Sequence, residues 1–246
     1  MKHVVSLCIL GLLCCLSASV KAEQPFVIAV NDAYQDAVSV DEMSALFEQL
    51  YAPLNIKPTI HYYPSKRGLL LANRLEIDAE AGRVSAVAKH YDNLLMVPEP
   101  IFRFSLQLYC LDKRKCQATP ESVVGMVGGF QAGPAYCKAN NFSCLLDRDA
   151  GFLVSALMSG GVDVLAGSQA TLQHMLCKLD VETIYYREEK ETAFVAYHLV
   201  NRNHAGIVDA LSESIRSMHA RNVFTDFFKK VRTKPANCPI EFVKIE

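Results

Sequence analysis

Arg83 follows the run Asp78-Ala-Glu-Ala-Gly at a predicted strand end. There the planar guanidinium fork can hold a carboxylate or a phosphate through two parallel hydrogen bonds. The same side chain can instead pair with Glu80 or Asp78. Strand ends in open α/β sheets face the ligand crevice, so Arg83 and Glu80 are both candidates for a binding site. Arg67 stands near the start of a predicted helix, where the helix dipole disfavours a cation; a ligand contact and a solvated surface position both account for it. Phe130-Gln131-Ala132-Gly133-Pro134 follows a strand and opens a helix, so the amides of Gln131, Ala132 and Gly133 can receive an anionic group. Gly128-Gly129 has neither the GxGxxG spacing nor a P-loop lysine. Asp32, Tyr34 and the aromatic pair Phe102 and Phe104 are further candidates for a cleft lining, although Phe102 and Phe104 alternate in strand fashion and have a core role as their alternative.

Other chemistries lack their signatures. The histidines are scattered, none within HExxH, and no GxSxG elbow presents a serine nucleophile. No motif calls for a cofactor. The mature part retains six cysteines, an even number that favours disulfides in an exported chain. Cys110 and Cys116 bracket one short turn and Cys137 and Cys144 another, which leaves Cys177 with Cys238 as a long-range bridge. No C-x-x-C and no Cys/His pair at zinc-ligand spacing competes with that pairing.

Export itself is read from the first 22 residues. Lys2 and His3 precede an apolar run from Leu7 to Leu16, followed by Val20-Lys21-Ala22, a small-residue cleavage site. The run is too short to cross a bilayer core of about 30 Å. Cleavage after Ala22 removes Lys2 and Lys21 and no acid, shifting the formal charge from -1 to -3. With the charges mixed in sign, nothing points to nucleic acid. The expected product is a periplasmic monomer with a small-molecule partner.

Apolar strands alternate with helices along the rest of the chain. Phe26 to Asn31, Thr59 to Tyr63 and Ile77 to Ala81 read as strands; Ser39 and Glu42 form a capping box for a helix that Pro53 stops. Ser65 is expected to cap a helix through Ala72. A second set follows, with a short helix at Thr119-Pro120, strands at Val124 to Gly128 and Val162 to Ala166, and helices at Gly151 to Met158 and Gln169 to Leu176. Phe102 to Cys110 and Ala193 to Val200 are the extended segments able to cross between the sets, and the C-terminus returns to helix. The pattern predicts a mainly parallel sheet covered on both faces, in two α/β lobes. The divisions are residues 1–22 as leader, 23–104 and 196–246 as the first lobe, and 105–195 as the second.

The order of Val27-Ile-Ala-Val-Asn-Asp, Pro64-Ser-Lys-Arg-Gly-Leu-Leu-Leu-Ala-Asn with Glu76-Ile-Asp, Asn93-Leu-Leu-Met-Val-Pro-Glu-Pro-Ile, and Leu157-Met-Ser-Gly-Gly-Val-Asp-Val-Leu-Ala-Gly resembles the periplasmic solute-binding proteins of family 3. The resemblance covers nearly all of the mature chain. It implies a Venus-flytrap fold, a solute held between lobes, closure about two crossings, and an inner-membrane ABC permease or a sensor as partner. Some relatives of this fold are dehydratases using cleft carboxylates and an arginine, which is the enzymatic alternative for Glu80 and Arg83; an accessory role without transport is the other. Receptors of the family place an arginine after a Gly-x-Thr turn and an acid after the Val-Asp strand. Here the arginine is displaced to Arg83 and Ser168 occupies the acid position, so the resemblance stops short of an ordinary α-amino acid as ligand.

Mass spectrometry of protein recovered from the periplasm should find Glu23 at the N-terminus. A full-length, membrane-retained product would contradict the export reading.

Overall fold

The computed structural model describes residues 25–128, 130, 132–231, 235 and 237–246, and the backbone alone at 190–192. The leader and its cleavage site lie outside the described residues. Strand β1 (Phe26–Asn31) buries Ile28, Ala29 and Val30 in succession, the mark of a strand covered on both faces. Helix α1 (Val40–Tyr51) starts as its capping box dictates. Glu42 N donates to Ser39 Oγ at 3.2 Å and Ser39 N donates to the Glu42 carboxylate at 3.0 Å, while Met43, Leu46, Phe47, Leu50 and Tyr51 turn inward. Strand β2 (Pro58–Tyr63), helix α2 (Ser65–Asn73), strand β3 (Ala79–Val84) and the single turn α3 (Ser85–Ala88) complete the first half.

Two long strands, β4 (Leu94–Cys110) and β8 (Thr183–Asn201), then run side by side through the whole molecule. Between them in sequence lie β5 (Val123–Val127), α4 (Gly133–Asn140), β6 (Ser143–Asp147), α5 (Ala150–Ser159), β7 (Val164–Gly167) and α6 (Gln169–Leu176). Helices α7 (Val208–Ala220) and α8 (Val223–Val231) follow, and β9 (Glu241–Lys244) closes the chain. The strand order is β2-β1-β3-β8-β4-β7-β5-β6, with β9 on β8. Separate cores form on the two sides. Ile28, Phe47, Leu50, Val97, Leu211, Ile215 and Phe224 belong to one, and Tyr109, Leu153, Leu165, Leu172, Leu176 and Ile184 to the other.

Several sequence expectations need correction. The sheet is mixed, because β3, β8, β4 and β7 pair antiparallel where the two halves meet. The crossings are longer than the apolar segments that revealed them, since β4 begins at Leu94 and β8 at Thr183. Thr119-Pro120 makes a turn and no helix, with Ser122 N bonded to Thr119 O. Strand β3 begins two residues later than expected, which places Arg83 inside the strand rather than past its end. The last residues leave the first half: Cys238 and Ile240 pack in the second core, and β9 runs parallel to Thr183–Tyr186.

That excursion is fixed by Cys177–Cys238, formed alongside Cys110–Cys116 and Cys137–Cys144. Inside the first core the Tyr51 hydroxyl meets His198 Nε2 at 2.6 Å, and burial lowers the imidazole to about 4, so it is neutral at pH 7. The bridges differ in sequence separation, 61 residues against 6 and 7. Replacing Cys177 and Cys238 together by Ser should therefore cost about 4 kcal/mol in urea unfolding, and replacing Cys137 and Cys144 about 2 kcal/mol. Equal losses would show that loop length does not govern the stabilisation.

Candidate functional site

A cavity of about 100 Å³ lies where the two halves face each other. One wall comes from the end of β1 and from β3, with Asn31, Tyr34 and Arg83; the other comes from β5, β7 and α6, with Val127, Ser168 and Thr171. Phe102 and Phe104 of β4 form its floor together with Phe130. The rings pack on one another: Phe104 stacks on Phe194 at 5.4 Å between centroids, and Phe130 meets Phe194 edge-on at 5.1 Å.

Arg83 is 8% exposed. Its Nη2 donates to Glu80 Oε1 at 3.0 Å, lies 2.9 Å from Oε2, and reaches Ser65 O at 3.3 Å. One nitrogen thus serves the whole pair, and Arg83 Nε, also buried, has no hydrogen-bond partner in the protein. Glu80 is fully buried against α2, where a Cβ on Gly68 would lie 2.4 Å from Oε1; glycine is the residue that leaves room for the carboxylate. Burial pushes Glu80 up to about 7 even though Arg83 draws it down. Helix α2 starts after Pro64 with no side-chain cap. Ser65, expected to supply one, is buried beside the pair with its hydroxyl unpartnered.

On the facing wall, Ser168 caps α6 by accepting from Thr171 N, and its hydroxyl also meets Thr171 Oγ1. Tyr34 spans the gap. Desolvation raises its phenol, with Ser168 and the Arg83 charge partly offsetting this. Further out, a cavity of about 480 Å³ is lined by Asp32 and Asp36 on one side and Arg148, His174 and Lys178 on the other. Lys178 Nζ bridges to Asp36 at 3.1 Å across the mouth, while His174 is lowered chiefly by burial.

Tyr34, Arg83, Phe102 and Ser168 are brought together at the inner cavity. Glu80 stands behind Arg83 and does not border it. Asp32 opens onto the outer cavity, and Arg67 is exposed on the surface with its guanidinium 6.0 Å from the Tyr63 ring. Ala132 and Gly133 are buried at the start of α4 without lining the cavity, and Gln131 lies outside the described residues. Asn31, Thr171 and Phe130 were missed as lining. Thr171 had a signal, its position three residues after the helix cap Ser168; Asn31 had none beyond ending an apolar strand.

No protein-family model matches the sequence, and no curated protein matches it. Solved structures do. A GluR0 ligand-binding core from Nostoc punctiforme in complex with L-glutamate superposes with a TM-score of 0.66 at 14% identity, over 86% of this chain and 100% of that one. The amino-acid ABC transporter substrate-binding protein AbpA from Streptococcus pneumoniae, bound to L-arginine, gives 0.64 at 14% identity over 85% and 97%. A histidine kinase sensor domain with similarity to periplasmic binding proteins gives 0.62 at 10% over 84% and 95%. The chain has the two-lobed periplasmic-binding-protein-like fold. In this fold's terms, β4 and β8 are the crossings and the inner cavity lies between the lobes.

The elevated Glu80 carboxyl has a sign. A folded pKa of about 7 against an ordinary 4.5 means that protonated Glu80 favours the native state at low pH, and the contribution is lost as pH rises through 7. Between pH 5 and pH 8 the wild type should lose up to about 3 kcal/mol relative to Glu80→Gln in urea unfolding. Parallel stability profiles for the two proteins would contradict an elevated Glu80.

Proposed function

We propose that this protein is a periplasmic solute receptor that closes its two lobes around a small anionic or zwitterionic molecule for uptake or sensing. The observation that carries the proposal is Arg83: a guanidinium nine-tenths buried at an interlobe cavity, with an Nε–H that the protein leaves unpaired. Buried donors of this kind are uncommon because each costs the free energy of its lost hydration. An anionic oxygen between Nε and the Ser168 and Thr171 hydroxyls would satisfy it from both lobes at once. Tyr34 would close over the same group.

The hinge we assign to the crossings. Their pairing breaks between Ser105 and Leu106, where the partner on β8 shifts from Ala193 to Glu189, and rotation there opens or shuts the cavity. The similar solved structures include a transporter component and a kinase sensor domain, which supports a permease or a sensor as partner. A lyase reading requires Glu80 to reach a substrate; its place behind Arg83, off the cavity, supports binding instead.

Thermal-shift screening over amino acids, small carboxylates, peptides and polyamines should produce at least one stabilising compound, since ligand at 100 times its dissociation constant adds about 2.7 kcal/mol. Arg83→Ala alone would strand the buried Glu80, so the paired change Glu80→Gln with Arg83→Met is the suitable probe. It should fold and lose about 2 to 4 kcal/mol of binding free energy in calorimetry. Undiminished affinity would move the site away from Arg83.

A further inference from the structure

The walls of the inner cavity are chemically one-sided. Arg83 supplies its cation, Tyr34, Ser168 and Thr171 supply hydroxyls, Asn31 supplies an amide whose Oδ1 already accepts from Ala33 N, and most of the remainder is hydrocarbon from Phe102, Phe104, Phe130 and neighbouring valines. Among the described residues no aspartate or glutamate borders it. Glu80 is held away by its contacts with Arg83 and by the α2 backbone at Gly68. Asp32 and Asp36 line the outer cavity, and Asp36 is bridged to Lys178.

An ammonium group carried into such a space loses its water and meets a like charge and aromatic carbon, with no carboxylate in return. A carboxylate meets the Arg83 guanidinium and the hydroxyls at the start of α6. The volume sets the size. A water-sized group needs about 10 to 15 Å³ of such space, so roughly seven to ten non-hydrogen atoms fill the inner cavity, and a longer body would run on past Phe102 and Phe104 into a groove of about 520 Å³ that shares those residues.

Resting on the binding function proposed above, we infer that the ligand is a small organic monocarboxylate with an apolar body and no ammonium, and that the site rejects the α-amino acid of the same skeleton. Isovalerate and L-valine make the direct comparison, because they share a carbon skeleton and differ by the amino group. In calorimetry with the disulfide-intact mature protein, isovalerate should bind at least tenfold more tightly than L-valine, and 3-methylbutylamine should not bind. Thr171→Asp places a carboxylate in the first turn of α6, where the helix dipole favours it. In that variant the preference should move towards L-valine by tenfold or more.

Equal or tighter binding of L-valine, or tight binding of L-glutamate or L-arginine, would overturn the inference and leave the solute-binding function standing. Silence from every monocarboxylate tested, benzoate included, would also overturn it. The binding function itself fails only if the whole amino-acid, carboxylate, peptide and polyamine panel leaves the melting temperature unchanged.

Discussion

The antiparallel ladder between β4 and β8 is the constraint on which the site depends. Arg83 on β3 stands opposite Tyr197 of β8, and Gly167, which precedes Ser168, stands opposite Gln107 of β4. The register of two strands therefore fixes the guanidinium and the α6 cap relative to each other. Because side chains alternate along a strand, a slip of one residue would turn Arg83 to the other face of the sheet. The ladder's register shifts between Met96 and Pro100, between Pro100 and Phe102, and again between Ser105 and Leu106, beside the stacked Phe104 and Phe194.

The Glu80–Arg83 pair shows why one residue can serve structure and binding together. A buried carboxylate and guanidinium both resist desolvation, and their attraction compensates only when the remaining hydrogen-bonding groups are satisfied. Here one nitrogen carries the contact, Glu80 stays near its protonation point, and Nε remains unpaired. The pair holds Arg83 in place without saturating it. A charge held this way by its neighbours is oriented before a ligand arrives, which lowers the ordering cost of binding.

Much of the fold was legible because it rests on local rules. The Ser39–Glu42 box, the apolar face of α1, and the close spacing within Cys110–Cys116 and Cys137–Cys144 each have a short-range physical cause that survives folding unchanged, and Cys177–Cys238 follows as the remaining pair. The site was legible in part. Tyr34, Arg83, Phe102 and Ser168 lie at element ends or crossings, where sequence position suggests exposure to a cleft. The two readings of Arg83, ligand contact and ion pair with Glu80, were posed as rivals; the geometry makes them compatible. Asp32, Arg67 and the described start of α4 lie off the inner cavity, because loop direction and helix rotation follow from tertiary packing. The antiparallel junction was missed for a similar reason, as pairing between distant strands leaves no trace in local periodicity.

The most direct measurement of the central claim is a crystal structure of the mature protein with the tightest-binding compound from the screen. A bound molecule between Arg83 Nε and the Ser168 and Thr171 hydroxyls, with its body against Phe102 and Phe130, is the outcome expected. A molecule seated in the outer cavity against Arg148, with Arg83 still contacting only Glu80 and Ser65, would contradict it.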